Sequence, residues 1–134
     1  MKLLIKNGRV VDPASGRDSV TEVYVADGKI AESFSKADKT IDAKGLVVSP
    51  GFIDLSARLR EPGFEYKATL ESEMNAAVAG GVTSLACPPD TDPPLDEPGL
   101  VDMLRRRARA LSRARVHPIG ALTLKLEEIG RAHV

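Results

Sequence analysis

The residues able to do chemistry in this chain are few, and most cluster in one run. Asp54, Ser56, Arg58, Arg60 and Glu61 follow the apolar residues Phe52 and Ile53. Side chains two apart on an extended strand share a face, so Ser56 and Arg58 present together. Neither suits a metal. A serine hydroxyl is a poor zinc ligand at neutral pH, and a guanidinium is always cationic with no lone pair to donate. The single cysteine, Cys87, follows the apolar run 82–86. It has no identifiable base to make it a nucleophile, so a packing role is expected. The two histidines, His117 and His133, stand apart from each other. A lone histidine such as His117 is more often structural than a ligand. Gly80-Gly81 reads as a helix stop, not a phosphate loop.

The elements that must position these residues fall into two stretches. Up to Val48 the pattern is short strands and turns: Leu3–Ile5, then Asn7-Gly8 as a hairpin turn, then Arg9–Val11. Val20–Ala26 alternates, Asp27-Gly28 turns into Lys29–Ala31, and Lys39–Ala43 and Leu46–Val48 complete a small antiparallel β unit. After Ser49-Pro50-Gly51 the character changes. Phe52–Leu55 is expected to be a fully buried strand. Tyr66–Ala79 is helical, with Met74, Ala77 and Val78 on one face. Val82–Ala86 is a second buried strand, followed by a proline-rich loop. Leu100–Ala114 is a second helix with Leu100, Met103, Leu104, Ala108 and Leu111 inward. Val116–Leu122 is a third strand. This alternation implies parallel crossovers, as in the opening of a (β/α)8 barrel or in a flavodoxin-like sheet. Periodicity does not separate the two.

Composition narrows the function classes. Formal net charge is zero and aromatics are 4%. No electrostatic or stacking footprint for nucleic acid is expected, and the arginines of 105–115 read as a solvated helix face. No apolar run reaches membrane-spanning length. One cysteine excludes an intrachain disulfide framework, and a cytoplasmic protein is expected.

The run Ser49-Pro-Gly-Phe-Ile-Asp-Leu-Ser-Ala-Arg-Leu-Arg-Glu-Pro-Gly63 resembles the metal-binding strand of the cyclic amidohydrolases, above all the dihydroorotases. Their pattern is P-G-(F/L)-(I/V)-D-x-H-x-H-x-R-(E/D)-P-G. The stretches Tyr66–Glu71, Ala79–Thr83 and Cys87–Thr91 also match. The resemblance implies an α/β fold. Residues 1–49 would be the amino-terminal part of a small β-sandwich, and 50–127 the first three strands and two helices of a (β/α)8 TIM barrel. Residues 128–134 are expected to be a non-native tail, so His133 carries no weight.

In the family the two histidines hold a zinc ion, and an arginine with a loop asparagine holds the substrate carboxylate. Here Ser56 and Arg58 occupy the ligand positions. Arg60 matches the arginine, and Asp90 replaces the asparagine. An ionised aspartate accepts hydrogen bonds but donates none, and it repels a carboxylate. No metal ligand, cofactor or catalytic residue is therefore expected in this chain. Arg60 and Asp90 remain as a vestigial substrate subsite, pairing with each other, or Arg58 forms a salt bridge inside the vacated pocket. Asp54 would be a partner behind the metal in the family, and is expected instead to cap nearby amides.

The implied function is an inactive dihydroorotase-like homologue in pyrimidine biosynthesis, a structural partner of aspartate transcarbamoylase. The alternatives are an active zinc dihydroorotase, a related hydantoinase or allantoinase, and a decayed gene.

Overall fold

A computed structural model of the chain describes residues 1–127. The expectations on 128–134, His133 included, lie outside the described residues. The chain divides into two compact units, Met1–Pro50 and a second beginning at Gly51.

The first unit is built on one long strand, β1 (Lys2–Asp12), where two short ones were expected. Asn7-Gly8 is not a hairpin turn but an irregularity within β1. The pairing register with β2 (Arg17–Ala26) shifts between Ile5 and Gly8, and Asn7 takes φ 65°. The choice of glycine is explained by packing. A Cβ at Gly8 would lie 2.7 Å from Val48 Cγ2 and 2.9 Å from Ala43 Cβ. The chain instead turns after Asp12, whose carboxylate accepts from the Ala14 amide at 3.1 Å and the Ser15 hydroxyl at 2.6 Å. Asp27-Gly28 does make the expected turn, with both residues at positive φ. It joins β2 to β3 (Lys29–Ala31).

The unit is not wholly antiparallel. β4 (Lys39–Asp42) and β5 (Val47–Val48) both pair with β1 in parallel, because the chain crosses over after β3 and returns in the direction of β1.

The second unit is mixed α/β. A parallel sheet in the order β6 (Phe52–Asp54), β7 (Val82–Cys87), β8 (Arg115–Pro118) alternates in sequence with α1 (Leu70–Ala79) and α2 (Pro98–Leu111). Its core is Leu59, Leu70, Met74, Leu85, Cys87, Leu95, Leu104, Ala108 and Val116. α1 begins later than the periodicity suggests, because Thr69 caps it. The Thr69 hydroxyl accepts from the Ser72 amide at 3.2 Å, and the Thr69 amide donates to Ser72 Oγ at 3.0 Å. The helix ends at Gly80, whose amide reaches the Ala76 and Ala77 carbonyls. Val78 was expected inward but is exposed. In α2, Pro98 stands at the first turn and left-handed Ser112 ends the helix. Leu104 and Ala108 are buried beneath it, as the pattern implies.

Two expectations fail at the sheet. Phe52 and Ile53 are 63% and 67% exposed, so β6 is not a buried strand. It is an edge strand bonded only to β7, and among the described residues no layer covers these side chains. β8 is also shorter than Val116–Leu122. The Ile119 amide still reaches the Cys87 carbonyl at 2.8 Å, but Ala121 has turned away to donate to Leu95 at 2.7 Å. Among the described residues no helix is long and apolar enough to cross a membrane.

Candidate functional site

The residues singled out by the sequence gather beyond the carboxyl ends of β6 and β7. β6 stops at Asp54, so Ser56 and Arg58 lie on the segment after the strand rather than on it. Two bonds shape its start. Asp54 Oδ1 accepts from the Ser56 amide at 2.8 Å, and the Ala57 amide donates to the Ala86 carbonyl at 2.9 Å. Asp54 therefore caps the strand end. Leu59 is then drawn into the core at 2% exposure, which leaves Arg58 and Arg60 on the polar side.

Arg58, not Arg60, takes Asp90. Arg58 Nε lies 2.6 Å from Asp90 Oδ2, with both side chains about half exposed. The expected Arg60–Asp90 pair is not formed. Arg60 adopts φ 65° and its carbonyl accepts from the Phe64 amide at 2.9 Å, so the chain reverses there. Among the described residues Arg60 makes no ion pair. Arg58 and Arg60 line an open cavity of about 620 Å³ with Asp54, Ser56, Lys67 and Glu73.

The two loops of the site are tied together. The Asp92 amide donates to the Pro62 carbonyl at 3.1 Å. Gly63, at φ +96°, packs so closely on Asp92 that a Cβ would overlap its backbone. The Thr91 hydroxyl donates to the Pro93 carbonyl at 2.8 Å. Cys87 is buried below, and burial pushes its thiol above the ordinary value of 9.0. His117 is exposed on β8, in a separate cavity lined by Arg105, Arg109, Arg113 and Arg115.

One set of contacts was missed by sequence reasoning, those of Glu61. Glu61 is 4% exposed. Its Oε1 accepts from the Leu70 amide, at the start of α1, at 2.8 Å. Its Oε2 lies 2.5 Å from Arg107 Nη2 on α2, an ion pair that lacks the angular geometry of a hydrogen bond. Arg107 is thus not merely part of a solvated face. No local signal marks this pair, since Glu61 and Arg107 are far apart in sequence.

The residues at this site do not fit zinc. The two positions that carry histidines in the family motif are a hydroxyl and a guanidinium already bonded to Asp90. Among the described residues no group of three or more histidine, cysteine, aspartate or glutamate side chains could hold a metal ion.

The comparisons with known proteins place the chain among the amidohydrolases. It aligns with L-hydantoinase (dihydropyrimidinase) from Arthrobacter aurescens at a TM-score of 0.77 and 26% identity, over 89% of this chain and 27% of that one. Molinate hydrolase shares the fold at a TM-score of 0.64 and 22% identity, over 89% of this chain and 30% of that one. Residues 45–131 match the dihydro-orotase-like family, and the chain belongs to that family. A dihydroorotase-like protein of Pseudomonas aeruginosa is 48% identical over 92% of this chain and 30% of its own length. A dihydroorotase of Solibacter usitatus is 46% identical, again over 92% of this chain and 30% of its own length. The chain thus spans under a third of the length of these relatives.

Proposed function

We propose that the complete protein carrying this sequence is a catalytically inactive member of the family that serves pyrimidine biosynthesis as a structural partner of aspartate transcarbamoylase. On this reading residues 1–49 belong to a small β-sandwich and 50–127 open a (β/α)8 barrel. The observation that carries it is Arg58 at a metal-ligand position, bonded to Asp90 at 2.6 Å. A fixed positive charge stands where a dication would have to bind, and it opposes that binding. Asp90 in turn is an acceptor where the family's asparagine would donate to a carboxylate.

A second reading is an active zinc dihydroorotase or a related cyclic-amide hydrolase. It is favoured by relatives at 46% and 47% identity that bear the name dihydroorotase. Two experiments separate the readings. The complete protein, co-expressed with the transcarbamoylase of its own organism, is expected to co-purify with it and to leave dihydroorotate unchanged. Turnover of dihydroorotate by the purified protein refutes the first reading, and failure to co-purify removes the proposed partner. The Ser56→His, Arg58→His double variant then reports whether the rest of the site survives, through a gain in zinc affinity.

A further inference from the structure

We infer that Glu61 is a positioning residue, whose carboxylate holds segment 57–63 in the conformation that keeps Arg58 on Asp90 and covers Cys87. The inference stands apart from whether the site turns over a substrate.

Glu61 ties three elements together. It belongs to the segment carrying Arg58, accepts from the first amide of α1 at 2.8 Å, and meets Arg107 of α2 at 2.5 Å. At 4% exposure it is the most buried charged residue described. A buried carboxylate persists only where its charge is answered, here by an amide at a helix N-terminus and a guanidinium. Ala57, Leu59 and Pro62 are tied to β7, the core and Asp92, but the two arginine side chains of the segment have no buried partner of their own. The Arg58–Asp90 pair is half exposed, and exposed pairs are weak. Arg60 sits in the left-handed region that a residue with a Cβ disfavours. Without the carboxylate the Leu70 amide loses its partner, and the segment loses its tie to both helices.

Cys87 reports on the state of this segment. Its thiol borders a narrow cavity of about 10 Å³ lined by Arg58, Leu59, Arg60, Phe64, Asp90 and others. That volume is at the lower limit for one water molecule, so an alkylating reagent reaches the sulfur only if the segment lifts.

The test is the rate of iodoacetamide labelling at Cys87 in the complete protein, read by mass spectrometry of the Cys87 peptide. Glu61→Ala is expected to raise the rate about tenfold or more through local opening. Glu61→Gln keeps an acceptor for the Leu70 amide but loses the charge, and its rate is expected to fall between those of Glu61→Ala and the unmodified protein. Val116→Ala, a core change on β8, lowers overall stability and is expected to leave the rate unchanged. If Glu61→Ala does not fold, Glu61→Gln and Arg107→Gln carry the test, and both are expected to label faster than the unmodified protein. Unchanged labelling in the Glu61 and Arg107 variants overturns the inference. So does an equal rise in Val116→Ala, because labelling would then follow global stability alone.

Discussion

Gly63→Ala is the sharpest probe of how tightly the two site loops are joined. Gly63 has φ +96°, and a Cβ there would overlap the carbonyl oxygen and Cβ of Asp92 and come within 2.8 Å of its carbonyl carbon. Forcing a residue with a Cβ into positive φ costs roughly 1–2 kcal/mol. Relieving the overlap requires backbone movement, at about 1–3 kcal/mol as for other overpacked sites. The lower entropy of the unfolded alanine chain offsets roughly 0.4–1 kcal/mol of this. The net loss is roughly 1–5 kcal/mol with a middle value of about 3, which at a urea slope of about 3 kcal/mol/M lowers the midpoint by roughly 1 M. The contrasting variant is Gly99→Ala in α2, where a Cβ meets nothing within 4 Å. It is expected to be neutral or to gain up to about 1 kcal/mol of helix stability. Urea denaturation of both variants in the complete protein compares them directly. A Gly63→Ala midpoint at or above that of Gly99→Ala refutes the close approach of segment 60–64 to Asp92.

Thr69→Ala removes the hydroxyl that caps α1 and is expected to cost about 1 kcal/mol, measured by the same midpoint. In the first unit, Asp18 is held below the ordinary carboxylate value of 3.8 mainly by the hydrogen bond from Arg9, Asp12 by Ser15, and Asp42 by Asn7. Each carboxylate favours its ionised form in the folded state. Their stabilisation is therefore complete above that value and is lost as pH falls through the lower folded values. Hydrogen exchange of β1 and β2 amides is expected to quicken over this acid range beyond its intrinsic pH dependence; unchanged protection would contradict the assignment. The raised Cys87 thiol predicts that alkylation in the folded protein begins at higher pH than in urea. Coincident profiles would show that the thiol is not buried.

The sequence was most legible where local chemistry decides the outcome. Asp27-Gly28 turns as its residues suggest, and α2 buries Leu104 and Ala108 as its periodicity implies. Asn7-Gly8 carries the same local signal as Asp27-Gly28 but lies within β1. There the glycine answers contact with Val48 and Ala43, which no short window contains. Phe52 and Ile53 were expected to be buried because the run is apolar, yet apolar character cannot say whether a covering layer is present. At the site, Ser56, Arg58, Arg60 and Asp90 were all recognisable from the motif. Their pairing was not, because it depends on Leu59 entering the core and on the chain reversal at Arg60. The Glu61–Arg107 contact lay furthest from view, hidden in what looked like an ordinary basic helix face.

On the proposed reading, Arg58 and Asp90 close the position at which the family motif would hold a metal. The most direct test is the zinc stoichiometry of the complete protein, purified without chelators and measured by elemental analysis after equilibration with excess zinc and desalting. Far less than one zinc per chain is expected. One or more tightly held zinc ions per chain, retained through desalting and lost in Asp54→Ala, would contradict it.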